Sequence, residues 1–149
     1  MRLEATRILV PVNGDPATER TFRWACRLAK QNKAELHAVY VIEVPLDLPL
    51  EAELGTAISE GERILERIES IGGEEKFKAI QAKFLRARRA GPALVQETED
   101  RHLDMIILGV PYRRRFGSCH LGSTASYIFN NASCRVIFLR DQAGIAYFD

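Results

Sequence analysis

The feature that most constrains the fold is the regular alternation of short apolar runs with segments of helical periodicity. Five apolar runs are separated by segments whose apolar residues recur at spacings of three and four, the pattern of amphipathic helices. A chain that alternates strand and helix in this way forms a parallel sheet with helices on both faces, joined by right-handed crossovers. We therefore predict an α/β fold with five parallel strands and four helices.

The five predicted strands differ in how completely they are covered. Glu35–Val44 is almost continuously apolar, as expected of a strand buried on both faces, whereas Phe77–Leu85 alternates apolar and polar residues. Lysines in and beside the latter run favour an edge position, where charge discourages pairing with another chain. The remaining predicted strands are Arg7–Val12, Met105–Leu108 and Cys134–Leu139.

Start and stop signals delimit the four predicted helices. Asp15 is placed as the N-cap of the first helix and Pro16 as its first residue, where the helix needs no N–H. The prolines Pro45 and Pro49 are expected to begin the second helix, which Gly72-Gly73 ends. The predicted helices are therefore Pro16–Asn32, the segment between Pro45 and Gly73, Ala93–His102 and Ser123–Ala132.

Composition excludes several classes of protein. With 149 residues, 46% of them hydrophobic and 28% charged, the chain suits one domain over residues 1–149 with a sizeable core. The net charge of +1 gives no support to non-specific binding of nucleic acid. No apolar run is long enough to cross a bilayer, and the N-terminal residues lack the apolar core of a signal peptide.

The cysteines indicate a reducing compartment. Cys26, Cys119 and Cys134 are odd in number and form no CxxC pair, which is typical of free thiols rather than of a disulfide framework. Together with the lack of a signal peptide, this predicts a cytoplasmic protein.

The long connection Gly109–Thr124, GVPYRRRFGSCHLGST, is the first candidate for a functional site. It spans about a dozen residues, although strand-to-helix loops usually take about two to six. It ends at the start of a predicted helix, where exposed N–H groups form a cradle for an anion, and it carries the arginines Arg113–Arg115. We predict a phosphate site here that holds a nucleotide.

Several of these residues have a structural interpretation beside the functional one. Ser123 and Thr124 are either phosphate ligands or caps of the last helix, and the two roles are compatible. Arg113–Arg115 form either a phosphate clamp or a solvated face of the loop, as charge runs commonly do. Arg86, Arg88 and Arg89 follow the third strand at the same edge of the sheet, and we interpret them as a solvated turn.

The predicted sheet also indicates where a ligand would bind. In open α/β sheets the ligand lies beyond the carboxyl ends of the strands, where the winding direction reverses. If the first and fourth strands flank that reversal, Val12-Asn13 and Leu108-Gly109 face each other across one crevice. The alternation of elements thus predicts a binding crevice between these two strand ends.

No pattern for catalysis or for metal binding accompanies the crevice. The chain has no HExxH, CxxC or GxSxG sequence, and Cys119-His120 has no second ligand or base at a recognisable spacing. His37 and His102 are interpreted as structural, and Glu43, a carboxylate expected near the crevice mouth, has no partner at a justified spacing. We expect no catalytic residue, no metal site and at most slow hydrolysis of ATP.

Several segments together resemble the universal stress protein family. Gly109, two residues, position 112, nine residues and then Gly122-Ser123-Thr124 are similar to the family's G-2x-G-9x-G-(S/T) motif. The opening Ile8–Gly14 resembles its first strand, Asp104–Gly109 its fourth strand and Cys134–Leu139 its closing strand. The resemblance covers nearly the whole chain, and the segments agree in order and spacing.

The resemblance implies a Rossmann-like three-layer sandwich, with its five strands in the order 3-2-1-4-5, and a homodimer. It also implies an adenine nucleotide such as ATP or AMP as the cofactor, and a role in stress or metabolic signalling. Adenine and ribose are then expected near Pro11, Val12, Asn13 and Val41. The phosphates are expected at the end of the fourth strand and along the loop, against Leu108, Gly109, Tyr112, Arg113, Gly122, Ser123 and Thr124.

Two residues depart from the family pattern. Tyr112 replaces the second glycine of the motif, although glycine permits positive φ and close approach of a ligand to the backbone. The tyrosine ring either narrows the path of the phosphates or covers the bound ligand. Asn13 replaces the usual aspartate and carries no charge, so a requirement for Mg²⁺ stays open. The alternative function is therefore a dimeric, partner-binding stress protein that takes no nucleotide because of Tyr112.

The closing strand Cys134–Leu139 needs a cover if it lies at the edge of the sheet. It is apolar and lacks lysines like those of the third strand. Pairing with a second copy would cover it, as the resemblance implies, and the alternative cover is the tail from Asp141 of the same chain. We expect a homodimer through this strand.

Overall fold

The computed structural model describes residues 5–110, 114–115, 118–119 and 122–140. The elements in chain order are β1 (Arg7–Pro11), α1 (Pro16–Asn32), β2 (Glu35–Glu43), α2 (Gly55–Glu74), β3 (Ile80–Ala87), α3 (Ala90–Asp100), β4 (Met105–Val110), β5 (Arg114–Arg115), β6 (Ser118–Cys119), α4 (Ser123–Asn131) and β7 (Arg135–Arg140).

A five-stranded sheet organises these elements. Its strands lie in the order β3-β2-β1-β4-β7, and each neighbouring pair is parallel. The parallel sheet, its order and the four helices confirm the predicted fold, with β7 in the place of the fifth predicted strand. The strand order reverses between β1 and β4, so the carboxyl ends of these two strands border the position where such folds bind ligands.

Helices cover the sheet on both faces. On one face, Phe22 of α1 and Ile68 of α2 belong to a single apolar cluster with residues of the sheet. On the other face, Leu94 of α3 and Ile128 of α4 belong to a second cluster. The central strands are apolar along their length because both of their faces are covered. No helix in the described part of the chain combines the length and the apolarity needed to cross a membrane.

The turn between β1 and α1 is capped as predicted. The Asp15 side chain accepts a hydrogen bond from the Ala17 N–H at 3.3 Å, and Pro16 follows as the first helical residue. A carboxylate at this place satisfies an otherwise unpaired donor and interacts favourably with the positive end of the helix dipole. The capping fixes the direction in which α1 leaves the carboxyl end of β1.

The prediction that Pro45 and Pro49 begin the second helix is wrong, because α2 begins only at Gly55. Each proline instead begins a turn, with its carbonyl oxygen accepting a hydrogen bond from the amide three residues on: Leu48 in the first turn and Ala52 in the second. The intervening segment, residues 45–54, is the β2–α2 loop.

Arg86, which lies in β3, and Arg88, which follows it, hold the β2–α2 loop, which corrects the interpretation of these two arginines as part of a solvated turn. Arg88 Nη1 donates to the carbonyl oxygens of Pro45 at 2.6 Å and Leu48 at 2.7 Å. Arg86 Nη1 donates to the carbonyl oxygen of Ala52 at 2.6 Å. In a helix, these carbonyl oxygens would accept backbone N–H groups of the same segment. Here they accept hydrogen bonds from arginine side chains at the end of β3.

Other boundaries differ from the predictions by a few residues. β3 begins at Ile80 rather than at Phe77, because the Phe77 N–H bonds to the Gly72 carbonyl at 2.9 Å in the turn that ends α2. α3 begins at Ala90 rather than at Ala93, so that Pro92 lies in the first helical turn, where its missing N–H leaves no hydrogen bond unmade.

The connection between β4 and α4 contains a short antiparallel pair that the sequence analysis did not predict. Arg114 pairs with Cys119 and Arg115 with Ser118 in the two-residue strands β5 and β6. No alternation of apolar and polar residues marks these strands, which is why the period-two criterion missed them.

Candidate functional site

A cleft opens at the carboxyl ends of the strands, where the strand order reverses. Its volume is about 510 Å³, within the usual range for a small-molecule site. The lining residues come from the ends of β1, β2 and β4 and from the starts of α1, α3 and α4: Pro11, Val12, Asn13, Asp15, Thr18, Val39, Tyr40, Val41, Glu43, Ala90, Leu94, Leu108, Gly109, Gly122, Ser123, Thr124 and Ala125.

The cleft brings together most of the site residues predicted from the sequence. The predicted residues that line it are Pro11, Val12, Asn13, Val41, Leu108, Gly109, Gly122, Ser123 and Thr124. Two further predicted site residues, Tyr112 and Arg113, lie outside the described residues, as does His120. Residues far apart in the chain meet here because parallel strands deliver all their carboxyl ends to one edge of the sheet.

The start of α4 presents backbone N–H groups at the cleft. Its N-cap is Gly122, with φ 85° and ψ 167°, and no side chain in the described part of the chain caps the helix. A methyl group at Gly122 would meet no atom of the described residues within 4 Å, and the positive φ is the reason that glycine is favoured here. Uncapped N–H groups and the positive end of the helix dipole together favour an anion.

The two other helix starts that line the cleft are satisfied by carboxylates of the chain itself. Asp15 caps α1 through the Ala17 N–H, and Glu43 Oε2 accepts a hydrogen bond from the Ala90 N–H at 3.0 Å, at the start of α3. Sequence spacing indicates no partner for Glu43, because Ala90 lies 47 residues further along the chain. Among the described helix starts at the cleft, that of α4 is therefore the one open to an anionic ligand.

Gly109, the first glycine of the motif, is required by packing. A methyl group there would overlap Oγ1 of Thr21 and lie 3.1 Å from the carbonyl oxygen of Ala17. α1 therefore lies against β4 too closely to admit any side chain at this position. The two described glycines of the motif thus serve different purposes, close packing at Gly109 and positive φ at Gly122.

Asn13 organises the turn that follows β1. Its Oδ1 accepts a hydrogen bond from the Asp15 N–H at 2.7 Å, and its carbonyl oxygen accepts one from the Thr18 hydroxyl at 2.9 Å. An aspartate would make the same contacts, so the asparagine keeps the shape of the turn without the charge. Among the described residues, no group of three or more His, Cys, Asp or Glu side chains is arranged to hold a metal ion.

The other reactive side chains considered from the sequence have structural surroundings. His37 is buried and contacts Glu35 with 2.9 Å between Nε2 and Oε1, at the amino end of β2 and outside the cleft lining. Burial raises the pKa of the Cys26 thiol to about 12, which keeps it protonated and a poor nucleophile. Neither residue offers chemistry to the cleft.

The comparisons with known proteins agree with this architecture. The model of the universal stress protein family matches residues 4–140. Universal stress protein MJ0531 of Methanocaldococcus jannaschii is 27% identical over 140 residues, which cover 90% of this chain and 81% of that protein.

Solved structures of this family have the same fold as the chain. A universal stress protein from Archaeoglobus fulgidus in complex with dAMP is 20% identical, with a TM-score of 0.69, and the match covers 91% of this chain and 98% of that one. A family protein from Arabidopsis thaliana with AMP bound is 15% identical, with a TM-score of 0.68 and 93% of both chains covered. Since the family model spans all the described elements from β1 to β7, the chain belongs to the universal stress protein family.

Proposed function

We propose that the protein binds an adenine nucleotide in the cleft and serves as a nucleotide-dependent module of stress or metabolic signalling. The observation that carries this proposal is the uncapped start of α4, which faces a cleft of suitable volume. A phosphate group there would receive backbone hydrogen bonds in the most favourable orientation of the helix dipole.

The distribution of charge in the cleft supports one orientation of the nucleotide. The phosphate belongs at Gly122–Thr124, because the carboxylates of Asp15 and Glu43 already occupy the starts of α1 and α3. The base and the sugar then lie toward the ends of β1 and β2, where Val12 and Val41 supply apolar surface.

The related structures support the ligand class. The Archaeoglobus and Arabidopsis proteins hold dAMP and AMP on the same fold, and a further universal stress protein with this fold is in complex with cAMP. We place the binding function in the cytoplasm, which the free thiols of Cys26 and Cys134 support, and we assign no catalytic residue.

Calorimetric titration of the purified protein with AMP, cAMP, ADP and ATP tests the proposal. Nucleotide retained from expression is first released by denaturation and identified by chromatography, so that an occupied site is not mistaken for an inactive one. We expect saturable binding of at least one of these nucleotides with one site per chain. A nucleotide-free preparation that binds none of them would contradict the proposal.

The alternative function, partner binding without nucleotide, rests on Tyr112 in place of the second motif glycine. If the tyrosine blocks the phosphate path, the natural protein binds none of the nucleotides and Tyr112→Gly creates binding. If it covers the ligand, the natural protein binds and Tyr112→Gly weakens the complex. The same titration of both proteins therefore separates the two functions.

We further propose a homodimer that forms through the closing strand. Among the described residues, β7 pairs only with β4, and its residues Val136–Leu139 are half-buried in the single chain. Phe129 of α4 is 67% exposed, and its ring lies 6.2 Å from that of Phe138 on β7. A strand with one edge unpaired among the described residues, beside an exposed aromatic ring, favours association with a second copy.

A further inference from the structure

The proposed nucleotide site leaves one feature of the cleft unused, the carboxylate of Glu43. Glu43 is the last residue of β2, is exposed and lines the cleft. Its Oε2 accepts the hydrogen bond from the Ala90 N–H, and its Oε1 accepts none from the described residues. The contact with α3 fixes the carboxylate beside the cleft and leaves one oxygen available to a ligand.

We propose that Glu43 is a specificity-determining residue that restricts the negative charge of the ligand to the α4 end of the cleft. The inference rests on the proposed function and adds to it a rule about the second half of the ligand. The ligand groups that lie near Glu43 are hydrogen-bond donors, such as sugar hydroxyls or an amino group, and not further phosphates.

The chemistry of the carboxylate supports this rule. An ionised carboxylate accepts hydrogen bonds and donates none, so a hydroxyl or an amino group complements it, whereas a phosphate oxygen repels it. In dinucleotide-binding α/β folds, an acidic side chain in the corresponding region takes a ribose hydroxyl and discriminates against a phosphate on that position. Glu43 has the same chemistry and lies at a strand end bordering the cleft.

Among the described residues, no cation forms an ion pair with this carboxylate. None of the ion pairs between described residues involves Glu43. Arg88, which follows β3, directs Nη1 to backbone carbonyls of the β2–α2 loop. The described lining of the cleft contains two carboxylates, Asp15 and Glu43, and no lysine or arginine. The backbone donors of α4 are thus the favourable place for negative charge.

The test compares AMP with adenosine 3′,5′-bisphosphate, which carries a second phosphate on the sugar. Both are titrated calorimetrically into the natural protein, into Glu43→Gln and into Glu51→Gln. Glutamine keeps the size of the side chain and an oxygen acceptor for the Ala90 N–H, so the variant removes charge with little other change. Glu51, an exposed residue of the β2–α2 loop outside the cleft lining, controls for the loss of one negative charge elsewhere.

We expect the natural protein to bind AMP more tightly than the bisphosphate. Glu43→Gln is expected to reduce that preference by about threefold or more, the effect of one charge at roughly 6 Å in a solvated setting. Glu51→Gln is expected to leave the preference unchanged. An unchanged preference in Glu43→Gln, or an equal change in both variants, would overturn the role of Glu43 while the nucleotide site stands. If the natural protein binds neither AMP nor the bisphosphate, this inference is overturned, and the proposed function is overturned as well if the other nucleotides also fail to bind.

Discussion

Single residues decide which helix starts in the cleft are open to a ligand. The carboxylates of Asp15 and Glu43 close two of them by hydrogen bonding to the Ala17 and Ala90 amides. Gly122 leaves the third uncapped and, through its positive φ, sets the angle at which the chain enters α4. The chemistry of the cleft therefore depends on three positions that differ in charge and in backbone freedom.

The conformation of Gly122 leads to the first prediction. Its φ and ψ lie in a region that side chains other than glycine rarely adopt, at a cost of about 1–3 kcal/mol. Gly122→Ala is therefore expected to move the first turn of α4 and to lower AMP affinity about tenfold, as measured by calorimetry. Gly73→Ala, at an exposed position with open space and no positive φ, is the matched control and keeps full affinity. Equal affinity of the two variants would argue against an anion site at α4.

The Glu35 carboxylate leads to a prediction about pH. Hydrogen bonds from His37 and Arg7 lower the pKa of Glu35 in the folded protein. A lowered pKa stabilises the fold at neutral pH, and this contribution is lost as the pH falls through the folded value. Because the pair is partly exposed, Glu35→Gln is expected to cost about 1 kcal/mol or less at pH 7.

Urea denaturation across a range of pH checks this expectation. The difference in the free energy of unfolding between the natural protein and Glu35→Gln should shrink below about pH 4, where the unperturbed carboxyl also becomes protonated. Glu51 is exposed and takes part in no ion pair between described residues. The free energy of unfolding of Glu51→Gln should therefore differ little from that of the natural protein, and the difference should not change with pH. A difference for Glu35→Gln that persists undiminished at low pH would contradict the assigned cause.

At the scale of elements, tertiary contacts override local signals in the β2–α2 loop. Proline-rich residues 45–54 carried signals for a helix start, yet two turns and the Arg88 guanidinium hold the segment in an ordered loop. Three of its leucines are among the exposed large apolar side chains, with Leu46 at 86% exposure. Hydrogen bonds to its backbone, rather than burial of its side chains, therefore keep this loop in place.

Removing that guanidinium leads to the third prediction. Arg88→Ala removes the side-chain donor to the carbonyl oxygens of Pro45 and Leu48 and, among the described residues, leaves these oxygens only the turn hydrogen bond from the Leu48 N–H to Pro45, so the β2–α2 loop should open locally more often. Hydrogen exchange followed by mass spectrometry should show faster exchange in residues 45–54, with the sheet unaffected. Arg89→Ala removes an exposed arginine whose side chain forms no hydrogen bond with another described residue, and this variant should exchange as the natural protein does. Similar exchange in both variants would show that the loop is held by other contacts.

At the scale of the whole molecule, the two edges of the sheet differ. β3 carries Lys83, which forms an ion pair with Glu97 of α3 across the sheet face, and the polar residue Gln81. β7 presents a half-buried apolar strand beside the exposed ring of Phe129. Charge within the strand protects the first edge from pairing, whereas β7 carries its charges, Arg135 and Arg140, only at its two ends, so its apolar middle lacks that protection.

This difference leads to the fourth prediction, about assembly. Phe129→Glu places a charge on the surface beside β7 and is expected to shift the proposed dimer to monomer, as measured by light scattering after size-exclusion chromatography. Since Phe129 is largely exposed, the substitution should leave the folded monomer intact by circular dichroism. Leu46 is an exposed apolar residue of the β2–α2 loop and is far from β7 in the sequence. Leu46→Glu should therefore leave the dimer unchanged. A natural protein that is already monomeric would contradict the proposed interface.

The sequence by itself determined the alternation of elements, and through it the parallel sheet, because buried strands and amphipathic helices impose different apolar periods. It also indicated the capping by Asp15 and the meeting of the ends of the first and fourth strands at the cleft, while the family resemblance added Pro11 and Val41. Only the tertiary structure decided that Glu43 binds the start of α3, that Arg88 holds the β2–α2 loop and that Gly109 is small because of α1. Each of these depends on a contact between residues that are distant in the chain, and the local periodicity of apolar residues does not indicate such contacts.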